Sequence, residues 1–180
     1  LLASTPLLRA IKEKYPDAEI TVIVSKQNYK AYEKNPYIKN LFIFDKHQLF
    51  NRKYFSHIRQ TLRTKYDVAV VPSVTSISFT SNLLARLSNS KIRIGINSLN
   101  GEQNKSYYFF DRRIDLDWRG KNDTHISHRN LAILEPFGII TKDFKTTIYS
   151  NEHDSKTAQE FISSITHDEK APVIGLHVGA

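Results

Sequence analysis

The sequence predicts an α/β protein: a parallel sheet with helices on both faces. Two observations carry that expectation. Short apolar runs recur along the 180 residues, as "EITVIV" (19–24), "LFIFD" (41–45), "YDVAVVP" (66–72) and "KIRIGIN" (91–97). Between them lie stretches of about 10 to 16 residues with helical apolar spacing, the alternation that produces parallel sheets buried on both sides.

Taken in order, Thr5 is an N-cap type of residue and Pro6 suits the first helical position, where a missing N–H costs nothing. Leu7, Leu8 and Ile11 then share one helix face. Pro16 and Asp17 turn the chain into the first strand-like run, and 25–36 reads as a short helix ended by Pro36. Residues 41–45 form the second strand, 50–65 a basic helix and 66–72 a third strand bounded by Pro. Ile77, Phe79, Leu83, Leu84 and Leu87 give the next helix its apolar face, ahead of the strand 91–97 and a polar loop over 101–105. "YYFFDRRIDL" reads as an irregular strand. Ile126, Ile133, Leu134 and Phe137 line one side of a helix that Gly138 closes as a left-handed cap. "TTIYS", a helix over 155–165, and "VIGLHVGA", a strand running into a Gly-containing turn, complete the order. A helix feeding a parallel strand normally follows a strand of its own, so the sequence is expected to begin inside a domain.

Lys and Arg exceed Asp and Glu by 26 to 18, a net charge of +8. That balance points to an anionic partner: nucleic acid, an anionic membrane face, or a phosphorylated or carboxylated ligand. The absence of Cys excludes disulfides and thiolate metal sites. No run approaches the roughly 20 apolar residues of a membrane span. Neither G-x-G-x-x-G nor a P-loop occurs, which counts against common dinucleotides. No RNP-like, helix-turn-helix or zinc-finger pattern supports nucleic-acid binding, although a basic nucleic-acid-binding α/β module remains the alternative reading of the charge.

Ligands of such sheets sit beyond the carboxyl ends of the strands, here Ser25, Asp45, Pro72–Ser73, Asn97–Ser98 and His177–Ala180. The segment 46–65, "KHQLFNRKYFSHIRQTLRTK", holds six Lys or Arg and no acid. It is either a solvated helix face or a surface that captures an anion. Arg112 and Arg113 form a second cationic pair, with Asp111 and Asp115 placed to neutralise them. Ser73, Thr75 and Ser76 precede a helix, and N-capping accounts for at least one of them. His125 and His128, three apart, fit capping or hydrogen bonding better than metal ligation. Trp118 is a loop aromatic able to stack on a sugar ring. His177, at a strand end, fits packing better than acid–base chemistry.

The opening "LLASTPLLRAIKEKYPDAEITVIV", with "YDVAVVPS", "KIRIGI", "HISHRNLAILEPFGI" and "IGLHVGA", resembles glycosyltransferase family 9, the ADP-heptose:lipopolysaccharide heptosyltransferase family. The resemblance spans the chain in order. It implies the two-domain GT-B architecture, with residues 1–166 as a Rossmann-like acceptor-binding domain lacking its first strand. Residues 167–180 would be the linker and first strand of the nucleotide-sugar domain. It further implies inverting transfer of heptose from ADP-heptose to the lipopolysaccharide inner core, or use of another nucleotide sugar, at the cytoplasmic face of the inner membrane. Neither cofactor nor metal is implied, and nucleic acid is not an expected partner. Arg52, Lys53, Arg112, Arg113, Arg129 and Ser73 fall to the acidic acceptor, and Gly179 and Ala180 to the donor diphosphate. The catalytic Asp of the family is expected upstream of Leu1, so this stretch alone is expected to bind rather than catalyse.

Overall fold

The structure, a computed structural model, describes residues 2–72, 75–121 and 123–165. Helix α1 (Thr5–Lys14) begins at the Thr-Pro pair, but Ser4 rather than Thr5 holds the N-cap position. Thr5 is turned inward, where its hydroxyl accepts from the Thr147 N–H at 3.2 Å. Leu7, Leu8 and Ala10 are buried, and the basic residues of the helix reach outward to tie down later chain. Arg9 donates to the carbonyls of Asp143 and Lys145, and Lys14 to those of Phe137 and Gly138.

Strands β1 (Ile20–Ser25) and β2 (Ile38–Phe44) pair in parallel, Val24 opposite Ile43. The helix expected between them is only a 3-10 turn, Tyr29–Ala31. Asn and Pro explain the shortfall: the Asn35 side chain accepts from the Tyr37 N–H, which offers the backbone a turn in place of a helix. Helix α2 (Arg52–Arg63) follows a 3-10 turn at Lys46–Gln48 and is capped by Asn51, whose side chain accepts from the Lys53 and Tyr54 N–H groups.

Strand β3 (Lys65–Val70), helix α3 (Phe79–Leu87) and strand β4 (Asn89–Leu99) build the second sheet. Strand β6 (Arg112–Leu116) lies parallel to β4 on the side away from β3. The expected polar loop contains a two-residue strand, β5 (Glu102–Gln103), antiparallel to the end of β4. Asn100 and Gly101 both have positive φ, 53° and 81°, as a tight hairpin requires. The single sheet expected is thus two sheets among the described residues, β1–β2 and β3–β4–β6, and β1 and β3 each end their sheet's order.

One apolar cluster joins both sheets, with Val24 of β1 and Ile94 and Ile96 of β4 against Leu7 and Leu8 of α1. Leu131, Ile133 and Leu134 close it from helix α4 (Ile126–Leu131) and the turn after it. The helix expected to continue to Phe137 breaks there and restarts as a 3-10 turn at Glu135–Phe137, because Pro136 has no N–H for the α ladder. Gly138 closes it at φ 66°, as its position predicts. On the opposite face of the second sheet Val71 and Ala85 enclose Phe110, whose ring lies flat against Gly95. Any Cβ at Gly95 would stand 2.3 Å from that ring.

Helix α3 turns a different face inward from the one its Leu and Phe residues predict. Its buried residues are Asn82 and Ala85, while Phe79 and Leu87 are exposed. Asn82 is drawn in by donating to Asn104 Oδ1 at 3.2 Å and Ser106 Oγ at 2.8 Å, and Asn104 in turn donates to the Ile96 carbonyl.

The chain divides into two compact units, Leu1–Ile148 and Tyr149–Ala180. The second contains helix α5 (Glu152–Ile165), which begins earlier than expected because Asn151 and Asp154 cap each other reciprocally. "TTIYS" has no regular structure. The strand expected after Pro172, with His177, Gly179 and Ala180, lies outside the described residues, as does Ser73.

Candidate functional site

The carboxyl ends of the strands are where small polar side chains and helix starts converge. At the end of β2 the Tyr54 hydroxyl donates to the Ile43 carbonyl at 3.1 Å and accepts from the Asp45 N–H at 2.6 Å. Phe42 packs against the Tyr54 and His57 rings, at centroid distances of 5.6 and 5.0 Å. Ile58, one turn after Tyr54, is the buried residue of α2. The spacing Tyr54, His57, Ile58 therefore fixes which face of α2 meets the sheet. It leaves Arg52, Lys53, Arg59 and Arg63 exposed, and none of them has an ion-pair or side-chain hydrogen-bond partner among the described residues.

The second sheet treats its cations otherwise. Arg93 pairs with Asp111 at 3.1 Å, and Arg119 grips Asp117 through two nitrogens, holding that carboxyl down at about 2. Arg113 donates to the Phe110 carbonyl and stacks on Tyr107 at 4.9 Å. Neither flanking acid neutralises the Arg112–Arg113 pair: Asp111 is taken by Arg93, and Asp115 accepts from Ser98 and Asn97. Those two hydrogen bonds, Ser98 first, draw the Asp115 carboxyl below its usual range. Arg112, the neighbour of Arg113 on a strand, points to the opposite face and has no side-chain partner among the described residues.

Arg129 is committed to its own loop. Its guanidinium donates to the carbonyls of Thr124 and Lys121 and covers the Trp118 ring at 5.5 Å. Trp118 is thus occupied by a cation, and its Nε1 is buried with no partner among the described residues. His125 is the N-cap of α4, its Nδ1 accepting from the Ser127 N–H, and His128 stacks on Phe144 at 3.7 Å. Capping and packing therefore account for both histidines.

Two shallow hollows mark the described surface. One, of about 360 Å³, is lined by Thr75, Ser76, Ile77, Leu99, Asn100 and Glu102, at the carboxyl end of β4. Sequence reasoning placed Thr75 and Ser76 near a site but missed Asn100 and Glu102, although the Asn-Gly pair signalled a hairpin that would bring them there. The Asn100 side chain accepts from the Trp118 N–H, so the hairpin is latched to the segment after β6. The other, about 830 Å³, is an open depression along α5 from Ser150 to Ser164. Neither is lined by Arg52, Lys53, Arg112, Arg113 or Arg129. The cations named from the sequence are consequently spread over three places, the start of α2, the start of β6 and α4, and do not share one of these hollows.

No protein-family model matches the chain. Two curated relatives do. Lipopolysaccharide heptosyltransferase 3 of Escherichia coli is 28% identical over 160 residues, 82% of this chain and 42% of that protein. The enzyme of the same name from strain K12 is 27% identical over 154 residues, 81% of this chain and 41% of that protein. Among solved structures, the glycosyl transferase family 9 protein from Veillonella parvula DSM 2008 superposes with a TM-score of 0.69 at 21% identity, over 94% of this chain and 47% of that one. E. coli heptosyltransferase WaaC with ADP gives 0.59 at 13% identity, over 93% of this chain and 51% of that one.

The chain resembles glycosyltransferase family 9 in sequence and in fold.

It spans about two fifths of the length of the curated heptosyltransferases it matches. The α/β architecture with parallel strands expected from the sequence is the architecture found, and its structural neighbours are family 9 transferases.

Proposed function

We propose that this chain is the acceptor-binding domain, residues 1–166, of an inverting GT-B glycosyltransferase that moves heptose from ADP-heptose to the lipopolysaccharide inner core. The likeness to lipopolysaccharide heptosyltransferase 3 across 82% of the chain carries the reading. The nucleotide-sugar donor is supported by ADP and an ADP-2-deoxy-2-fluoro heptose in structures of WaaC. Donor binding falls mainly to a second domain, to which Gly179 and Ala180 belong.

In this reading a further parallel strand stands between β1 and β3, giving one sheet in the order β2, β1, new strand, β3, β4, β6. Two facts support it. Each of those strands ends its sheet's order, and the two sheets already share one apolar cluster. An exposed, unpaired edge beside a buried core is a position that folded proteins fill. The catalytic base is a carboxylate outside residues 1–180. It removes the proton of the acceptor hydroxyl as that oxygen attacks the anomeric carbon from the face opposite the leaving ADP.

Arg52 and Lys53 receive the phosphates and keto-acid carboxylates of the acceptor. They are cationic, exposed, unpartnered among the described residues, and held at a strand's carboxyl end by the Tyr54 latch. Arg112 is the next candidate on the same ground, and Ser73 supplies hydrogen bonds to sugar. Arg113 and Arg129 act on the acceptor by shaping Tyr107 and the Trp118 loop. The acceptor is lipid-anchored, so the protein works at the cytoplasmic face of the inner membrane. Among the described residues no helix is long and apolar enough to cross a membrane.

The test assays the intact protein with ADP-heptose and a core-lipid acceptor. Heptose transfer with inverted anomeric configuration is expected. The Arg52→Ala/Lys53→Ala pair should raise the acceptor KM by about tenfold and leave the donor KM unchanged. Unchanged ADP-heptose with a folded enzyme overturns the heptose assignment, and consumption of another nucleotide sugar reassigns the donor.

A further inference from the structure

The loop and helix that carry Arg52 and Lys53 also expose a cluster of apolar side chains close together in sequence. Phe50, one residue before the Asn51 cap, is 98% exposed, and Phe55 in the first turns of α2 is 54% exposed. Leu49 beside them is exposed as well. Elsewhere in this unit aromatics find company. Phe79 meets Phe109, Tyr108 meets both Tyr107 and Phe109, and Phe42 meets Tyr54. Phe50 and Phe55 have no ring partner among the described residues.

Spacing places cations around them. Arg52 and Arg59 stand three before and four after Phe55, hence on the same helix stripe. Lys46, Lys53 and Arg63 complete a segment with no acid between residues 46 and 65. The opposite face is fixed to the sheet by Tyr54, His57 and Ile58, so the element is amphipathic twice over: one apolar side inward, one cationic side with an apolar crest outward.

We propose that Leu49, Phe50 and Phe55 form a membrane-inserting crest that docks this domain on an anionic bilayer, with Lys46, Arg52, Lys53 and Arg59 on the headgroups. The charge selects an anionic surface, and the crest selects one with an accessible apolar layer. Phenyl and isobutyl groups at the headgroup boundary leave water while the cations meet phosphates, the arrangement of interfacial helices. A nucleic-acid duplex satisfies the cations but receives Leu49 and Phe50 only at the cost of unstacking a base step, whereas a bilayer offers its apolar layer directly. The proposal deepens the reading of a membrane-borne acceptor, on which it rests. It also explains how Arg52 and Lys53 reach groups that lie at the bilayer surface.

The experiment is co-sedimentation of the intact protein with vesicles of phosphatidylcholine alone and of phosphatidylcholine with phosphatidylglycerol. No sugar donor or acceptor is present, so failure of the transfer reading and failure of this one are separable. Binding is expected to the anionic vesicles only. Phe50→Ser and Phe55→Ser should each weaken it by about tenfold at unchanged unfolding midpoint. Arg59→Ala should weaken it by about fivefold, an effect that shrinks as salt rises. Tyr108→Ser, an exposed aromatic on another face, should bind as the parent. Parent-like binding by both Phe variants overturns the crest, even if the protein sediments with the vesicles. So does an absence of anionic-vesicle binding, or tighter binding to duplex DNA than to vesicles.

Discussion

Helix α2 and the β4–β6 region both place cations on the surface, yet they dispose of most of them differently. Around β4 and β6, Arg93 and Arg119 have carboxylate partners, and Arg113 and Arg129 have carbonyls and rings. On α2, Arg52, Lys53, Arg59 and Arg63 have no such partner among the described residues. The difference extends to packing. The second sheet buries Phe110 and Ile96 almost completely, whereas α2 buries Ile58 and exposes Phe55. A cation that is already neutralised shapes its own loop. One that is not is available to a partner: Arg112 stands alone on β6, and four of that second kind stand together on α2.

The largest expected effect breaks the comparison from the stable side. Phe110→Ala removes a ring that fills the space over Gly95 and should cost about 3–5 kcal/mol in urea unfolding. Phe55→Ser, on the exposed side of α2, should cost less than about 0.5 kcal/mol. Equal losses would mean that α2 is as much part of the core as the sheet is. Next, Asn82→Ala removes the buried amide that donates to Asn104 Oδ1 and Ser106 Oγ, leaving Ser106 only its bonds to Asn104. The unfolding midpoint should fall by the equivalent of about 1–3 kcal/mol, and a parent-like midpoint would show that water replaces the amide.

Arg129→Ala should be intermediate, about 1 kcal/mol, with enhanced proteolysis between Trp118 and Thr124. If that loop resists protease as in the parent, Arg129 is not what holds it. The smallest effect is pH-dependent. Asp115 is drawn below the ordinary carboxylate range by Ser98 and Asn97, so its folded form favours the charged state. Its contribution is present above the unfolded pKa of about 4 and is lost as pH falls through the lowered folded value. Because the carboxyl is exposed, the amount should stay below about 0.5 kcal/mol. Stability measured from pH 6 to pH 3 should be flatter in Asp115→Asn than in the parent. An identical slope would show that the two hydrogen bonds do not favour the ion.

Much of this fold is legible along the chain because its signals are local. The runs 19–24, 41–45, 66–72 and 91–97 each overlap a strand whose ends differ by one to three residues, since β-branched and aromatic residues favour extended backbone wherever they sit. The cap at Gly138 is equally local, as only glycine enters that conformation without strain. The departures arise where a distant residue outweighs the local one. Phe79 and Leu87 look like the buried face of α3, but Asn104 and Ser106, over 20 positions on, pull Asn82 inside instead. The Asn100–Gly101 hairpin was there to be read, and it was hidden only by the polarity of the residues around it.

The sequence by itself determined the alternation of strand and helix, the net positive charge and the acid-free segment before β3, because composition and periodicity need no partner to be expressed. Only tertiary structure decided which cations remain without counter-ions. Arg93, Arg113, Arg119 and Arg129 read like Arg52 and Lys53 in one dimension. Arg93 is brought against Asp111 where β4 meets β6, and Arg129 is laid over the Trp118 ring from α4. Arg113 and Arg119 find Phe110 and Asp117 within three residues, whereas Arg52 and Lys53 stand exposed on α2. Charge is a property of the residue. Its neutralisation is a property of distance, and distances across the chain are set by the packed core.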